Sequence, residues 1–239
     1  MTREVAIGAV RLSTELPRIV AAGGQAALDA LVAADGADLV ELRADLFDDP
    51  RPLTIVAALE RLRAAGRPVI LTVRAAEEGG RRLAEGTRRE LYVAGLAYAD
   101  AVDIEIASTA LASELVPRAR AAGRTVILSA HAMDGTPPAD ALLPLVDRAE
   151  AMGADVTKLA ATARDLEDVR TMLAVTLAAR HRGIVTVAMG PAGTLARVLL
   201  PAAGSLLTYG HVGTPTAPGQ LTVTELATLV SRFFSFAST

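Results

Sequence analysis

Eight short runs rich in β-branched residues alternate with longer stretches of alanine, leucine and arginine. This alternation limits the fold more than any other feature of the chain. The runs lie at 5–10 (VAIGAV), 38–43 (DLVELR), 68–73 (PVILTV), 101–106 (AVDIEI), 125–130 (TVILSA), 155–160 (DVTKLA), 184–189 (IVTVAM) and 205–210 (SLLTYG). Their length and composition read as strands. Helical patterns lie between them, for example at 52–66, 111–123 and 166–183, and a last one closes the chain over "TVTELATLVSRFF". Eight strands, each followed by a helical stretch, are the count for a (β/α)8 TIM barrel, read here as one α/β domain over 1–239. A doubly wound open sheet is the alternative. It more often has fewer strands, and no glycine-rich dinucleotide fingerprint follows the first run.

The composition narrows the function. Hydrophobic residues make up 51% of the chain but aromatics only 3%, so the core must be alanine, valine, leucine and isoleucine. Few aromatic rings, a net charge of −3 and no basic cluster disfavour a nucleic-acid partner. The absence of cysteine excludes disulfides, thiol catalysis and thiolate metal sites. The start, "MTREVAIGAV", lacks the layout of a signal peptide. Residues 198–224 are uncharged but hold three prolines and four glycines, which reads as loops around a strand and not as a membrane span. The expectation is a cytoplasmic protein without a membrane partner.

In such a barrel, chemistry belongs at the C-terminal ends of the strands. The second strand brings Glu41, Arg43 and Asp45, spaced by two and so on one face. The third brings Arg74, then Glu77 and Glu78 before Gly79-Gly80. The fourth brings Asp103 and Glu105, the fifth ends at His131, and the sixth carries Lys158. Met189, Gly190 and Arg197 follow the seventh, and "TPTAPGQ" (214–220) follows the eighth. One charge at a strand end is usually an interior salt bridge or a solvated loop residue. A polar residue at nearly every strand end, with acids and bases in rough balance, fits a buried polar site.

Lys158, in "GADVTKLAAT" (153–162), has two readings. It neutralises Glu41 or Glu105 inside the barrel, or it is a nucleophile. Burial and the cations Arg43 and Arg74 would lower its pKa, and a neutral amine attacks a ketone to form a Schiff base. A base is then needed beside it. His131 ends the preceding strand and titrates in the right range, and Glu78 could orient its ring. His181, at a helix end, and His211, in a loop, look incidental, and a zinc site is not indicated. A carboxylate magnesium site from Glu41, Asp103 and Glu105 has no spacing to support it. The glycine-rich loops at 188–197 and 209–220 sit where barrels often bind anions, with Arg197 placed to fork onto a carboxylate or phosphate.

Taken together, "ELRADLF", "LTVRAAEEGG", "ILSAHAMDGTP", "GADVTKLA", "AMGPAGTLAR" and "TAPGQ", in this order and spacing, resemble the type I 3-dehydroquinate dehydratase family of the shikimate pathway to the aromatic amino acids. The resemblance implies that Lys158 forms an imine with the ring ketone of 3-dehydroquinate. His131 would remove the adjacent proton and return it to the departing hydroxyl, a syn loss of water, with Glu78 orienting it. Arg197 and Gln220 would hold the substrate carboxylate, with the Thr216 hydroxyl beside them. Glu41, Arg43 and Arg74 would bind the ring hydroxyls, and Met189 and Tyr209 would line the pocket. The resemblance implies no metal or organic cofactor, a small-molecule substrate and a homodimer.

The chain departs from the family at several points. Thr216 stands where serine is usual, Ala130, Ala132 and Met133 flank the histidine, and Ala188 and Ala196 replace serines. These changes bear on substrate fit more than on reaction type. Two other readings stay open. One is a Schiff-base aldolase acting on a phosphorylated sugar, which Gln220 and the Glu41/Arg43 pair fit less well. The other is a non-catalytic binder of a shikimate-type ligand, which has no use for a nucleophile beside a base.

Overall fold

The computed structural model describes residues 5–213 and 219–234. A hairpin of β1 (Val5–Ile7) and β2 (Val10–Leu12) comes first. Eight parallel strands follow: β3 (Arg18–Gly23), β4 (Leu39–Arg43), β5 (Val69–Thr72), β6 (Ala101–Glu105), β7 (Thr125–Ala132), β8 (Val156–Thr162), β9 (Ile184–Met189) and β10 (Leu207–His211). After them, in turn, come α1 (Leu28–Val32), α2 (Pro52–Ala64), α3 (Glu85–Gly95), α4 (Thr109–Ala121), α5 (Ala139–Ala151), α6 (Leu166–Ala179), α7 (Ala196–Ala202) and α8 (Val223–Phe233).

The strands pair in the order β10-β3-β4-β5-β6-β7-β8-β9, a TIM barrel closed at the β9–β10 seam by other means. There the Leu206 N–H donates to the Ile184 carbonyl at 3.0 Å, and the Thr186 N–H donates to Ser205 Oγ at 3.0 Å.

The expected first strand is corrected. The run at 5–10 is not a barrel strand: Gly8, at φ +56°, turns it into the hairpin that pairs Ile7 with Val10. A two-residue turn opening on a positive-φ glycine matches the twist of antiparallel strands. The barrel instead begins with Arg18–Gly23, paired to both β10 and β4. The hairpin packs Val5, Ile7 and Leu12 against the apolar floor of the barrel.

The period-two alternation of each strand builds the interior in layers. The floor is Val20, Leu39, Ile70, Ala101, Ile127, Val156, Val185 and Leu207, one residue from each strand. Two residues further along, the same faces carry Ala22, Glu41, Thr72, Asp103, Ser129, Lys158, Val187 and Tyr209. The chemistry therefore starts one layer above a dry floor. The intervening residues point outward under the helices, as Val40, Leu42, Leu71, Val102, Ile104 and Leu128 do. Among the described residues, no helix is long and apolar enough to cross a membrane.

Candidate active site

A cavity of about 340 Å³ opens at the C-terminal mouth of the barrel. Its walls include Glu41, Arg43, Arg74, Glu78, His131, Lys158, Met189, Arg197, Tyr209 and Gln220, so ten of the expected site residues share one chamber. Thr216 lies outside the described residues.

Lys158 is the only lysine in the chain; every other basic side chain among its 24 is arginine. It is 5% exposed. Its Nζ donates to Asp103 Oδ2 at 2.9 Å, lies 3.7 Å from Glu41 Oε2, and sits 4.3 Å from the centre of the Tyr209 ring. Two sequence expectations change here. Burial does work to lower the amine's pKa, but the Asp103 and Glu41 carboxylates outweigh it and hold the pKa above the ordinary lysine value. The cations Arg43 and Arg74 therefore do not leave the resting amine neutral. The acids that neutralise it are Glu41 and Asp103. Glu105 is engaged by Arg74 at 2.9 Å and by Arg88.

His131 stands on β7 beside β8, with its residue partner Ala160 two positions beyond Lys158. Glu78 Oε2 accepts from the His131 backbone N–H and contacts its Nδ1, both at 2.9 Å. The short turn Ala76–Glu78 presents this carboxylate, and two glycines make the turn fit. Gly79 takes φ +85°, and a Cβ on Gly80 would sit 2.1 Å from the Arg74 carbonyl oxygen. Burial first, then the Arg74 and Lys158 cations, push the His131 pKa well below the usual histidine value, so the ring rests neutral. Burial also pushes Glu78 up to about 7, although Arg74 opposes the rise. A neutral ring whose Nδ1 faces a carboxylate has Nε2 available as a base.

The three arginines differ in what they leave free. Asp45 grips Arg43 through two bonds, of 2.9 and 2.7 Å. Asp45 stands in a turn past β4, not on the strand face expected from its spacing. Arg74 is held by Asp103 and Glu105, each at 2.9 Å. Arg197 is 4% exposed, and among the described residues no carboxylate pairs with it and its Nε has no partner. Burial alone lowers its pKa to about 10. A buried cation without a counter-ion is costly unless a ligand supplies the anion.

The sequence places Asp103 at a strand end, where its only weighed role is in a carboxylate magnesium site, and it singles out none of Ser129, Thr72 and Arg88. Thr72 Oγ1 donates to Glu41 at 2.6 Å, and Ser129 Oγ donates to Asp103 at 2.5 Å. Period-two spacing from the apolar floor would have found both hydroxyls. His211 is the last residue of β10 and not a loop residue as expected, and it stands at the rim, its Nδ1 2.8 Å from the Gly213 carbonyl. His181 follows the end of α6, away from the chamber, and accepts a 3.0 Å bond from Arg180.

A barrel with a buried amine, an imidazole–carboxylate pair and an unpaired arginine at its mouth has the layout of a barrel enzyme. Comparison with known proteins agrees. The Type I 3-dehydroquinase family profile matches residues 19–235. A 3-dehydroquinate dehydratase of Methanocella arvoryzae is 36% identical over 194 residues, covering 80% of this chain and 85% of that one. One from Klebsiella pneumoniae is 35% identical over 204 residues, covering 80% of each. The crystal structure of 3-dehydroquinate dehydratase from Geobacillus kaustophilus superposes with a TM-score of 0.89 at 28% identity, covering 98% of both chains. The chain belongs to the type I 3-dehydroquinase family. That places it among the 3-dehydroquinate dehydratases, which are carbon–oxygen lyases.

Proposed function

We propose that the chain dehydrates 3-dehydroquinate to 3-dehydroshikimate through a Schiff base on Lys158, with His131 as general base and acid. One observation carries this reading: the chain's only lysine is buried in the same chamber as the His131–Glu78 pair and the uncompensated Arg197. Arginine cannot replace an amine as nucleophile, because its guanidinium stays protonated.

Binding comes first. The substrate carboxylate neutralises Arg197, with Gln220 beside it and Thr216 assigned to the same subsite. The ring hydroxyls meet Glu41, Arg43 and Arg74, and Met189 and Tyr209 flank the ring. The Lys158 ammonium then passes a proton to the ketone oxygen as its lone pair attacks the carbonyl carbon, giving a carbinolamine. The carbinolamine loses its oxygen as water and leaves a protonated imine.

His131 Nε2 takes the proton from the adjacent carbon, the C–H electrons form a carbon–carbon double bond and the C=N π pair moves onto nitrogen, giving a neutral enamine. The enamine expels the β-hydroxyl, which leaves as water with the proton His131 had taken. Water then hydrolyses the conjugated imine, releasing the enone and the free amine. One group removing and returning the proton works from one face, which supports a syn elimination.

An aldolase on a phosphorylated sugar fits less well, since Glu41, Arg43 and Arg74 form a wall suited to hydroxyls. The proposal extends to residues 1–239 acting as one catalytic domain in a cytoplasmic homodimer, which light scattering and cell fractionation test. The activity test is direct. Adding 3-dehydroquinate should raise the ultraviolet absorbance of a conjugated enone, and a flat trace at micromolar enzyme would overturn the reading.

A further inference from the structure

We infer that Asp103 is a further catalytic residue, the fixed counter-ion of the nitrogen at which the reaction occurs. The inference rests on the proposed Schiff base at Lys158.

Asp103 is fully buried on β6. Its Oδ2 receives the Lys158 ammonium and the Arg74 guanidinium, each at 2.9 Å, and its Oδ1 receives Ser129 Oγ at 2.5 Å. It is absent from the chamber wall, whereas Glu41, the other acid near Nζ, lines that wall. Substrate hydroxyls can therefore draw Glu41 away, but they cannot reach Asp103. Two hydrogen bonds, from Lys158 and Ser129, and the Arg74 ion pair hold the Asp103 carboxylate from three surrounding strands or strand ends. The charged and titratable groups facing Nζ are Asp103 from β6, Glu41 from β4, Tyr209 from β10, Arg74 beyond β5 and His131 from β7. Among these, Asp103 alone is both in hydrogen-bond contact and out of reach of substrate.

The nitrogen is cationic twice, as the resting ammonium and as the protonated imine. Proton abstraction by His131 depends on the second cation, because the C=N π pair moves onto nitrogen only while the nitrogen stays protonated. A preorganised anion beside it keeps the imine protonated without solvent reorganisation. The same anion holds the resting amine in its charged form, so it slows attack on the ketone while supporting the elimination. Asp103 itself is a poor proton acceptor. Burial works to raise its carboxyl, but Arg74 and Lys158 outweigh that and hold it well below the usual carboxylate range.

The chain's single lysine gives a clean readout. Lysine labelled with ¹³C and ¹⁵N at the ε-amine reports one side chain, Lys158. In Asp103→Asn its titration midpoint should fall by about 1–3 pH units relative to the unsubstituted protein. Imine formation, read by borohydride trapping at neutral pH, should not slow, while kcat for the enone drops about 10²–10³-fold and KM moves by less than about threefold. Asp103→Glu should restore part of the midpoint shift.

A folded Asp103→Asn protein with an unmoved lysine midpoint and kcat within about threefold would overturn the inference. If that variant does not fold, Ser129→Ala loosens the same carboxylate. A smaller fall in midpoint and kcat supports the inference there, and no change in either contradicts it. Failure of the unsubstituted protein to trap substrate would sink the Schiff-base reading itself. Trapping with an unresponsive variant sinks only the role of Asp103.

Discussion

A single carboxylate oxygen, Glu78 Oε2, lies 2.9 Å from two nitrogens of His131, the backbone N–H and ring Nδ1. The backbone contact locks the carboxylate to the strand and the ring contact sets which nitrogen faces the chamber.

The first prediction concerns pH. Burial pushes Glu78 up to about 7 from an ordinary value of 4.5. The folded protein therefore holds a proton there that the unfolded chain releases near its ordinary value. The stability this group contributes is present at low pH and is lost as pH rises through about 7. Glu78→Gln removes that loss. Its Tm should exceed that of the unsubstituted protein by roughly 2–6 °C at pH 8 and differ little at pH 5. Calorimetry at the two pH values checks this; equal differences at both would refute it.

The same variant should be slower. With the carboxylate gone, the His131 tautomer is no longer enforced, so kcat/KM should drop by roughly 10–10²-fold and lose its rise near neutrality. A pH–rate profile that keeps that rise in Glu78→Gln would assign it to another group.

Arg197 predicts a ligand-dependent stability. Supplying the missing anion relieves a buried cation, so saturation with a ring carboxylate at about 100 times Kd should stabilise by about 2.7 kcal/mol. In a chain of this length that raises Tm by roughly 5–10 °C. In Arg197→Met the shift should vanish, and an intact shift there would place the carboxylate elsewhere.

The N-terminal hairpin predicts a separation of stability from activity. Ile7, in the hairpin beneath the barrel floor, is fully buried, and the floor layer separates it from Lys158. Ile7→Ala should cost about 2–5 kcal/mol in urea unfolding and leave kcat within about twofold. A large loss of kcat in the folded variant would mean that the floor and the site are coupled.

Much of the barrel was legible because its strands alternate. Seven of the eight expected runs are barrel strands, and their polar residues stand at the ends where the chamber opens. "VAIGAV" is richer in β-branched residues than "RIVAAG", so propensity favoured the hairpin over the true first strand. The Gly8-Ala9 pair, glycine first, is the local signal for a two-residue hairpin turn. Asp103 was visible at its strand end, but its pairing with Lys158 spans 55 residues of sequence and depends on which acid each arginine takes. Once Arg88 reaches in from α3 to Glu105, that acid is committed, and Asp103 is left to the lysine. No spacing along the chain encodes that choice.

The central claim is a covalent bond at Lys158, and borohydride reduction in the presence of 3-dehydroquinate tests it most directly. Intact mass should rise by one reduced ligand, peptide mapping should place it on Lys158, and Lys158→Ala should take up none. His131→Ala should still be trapped while losing turnover, because the imine forms before the proton is removed. Enone formation by the unsubstituted protein with no adduct on Lys158 would contradict the account.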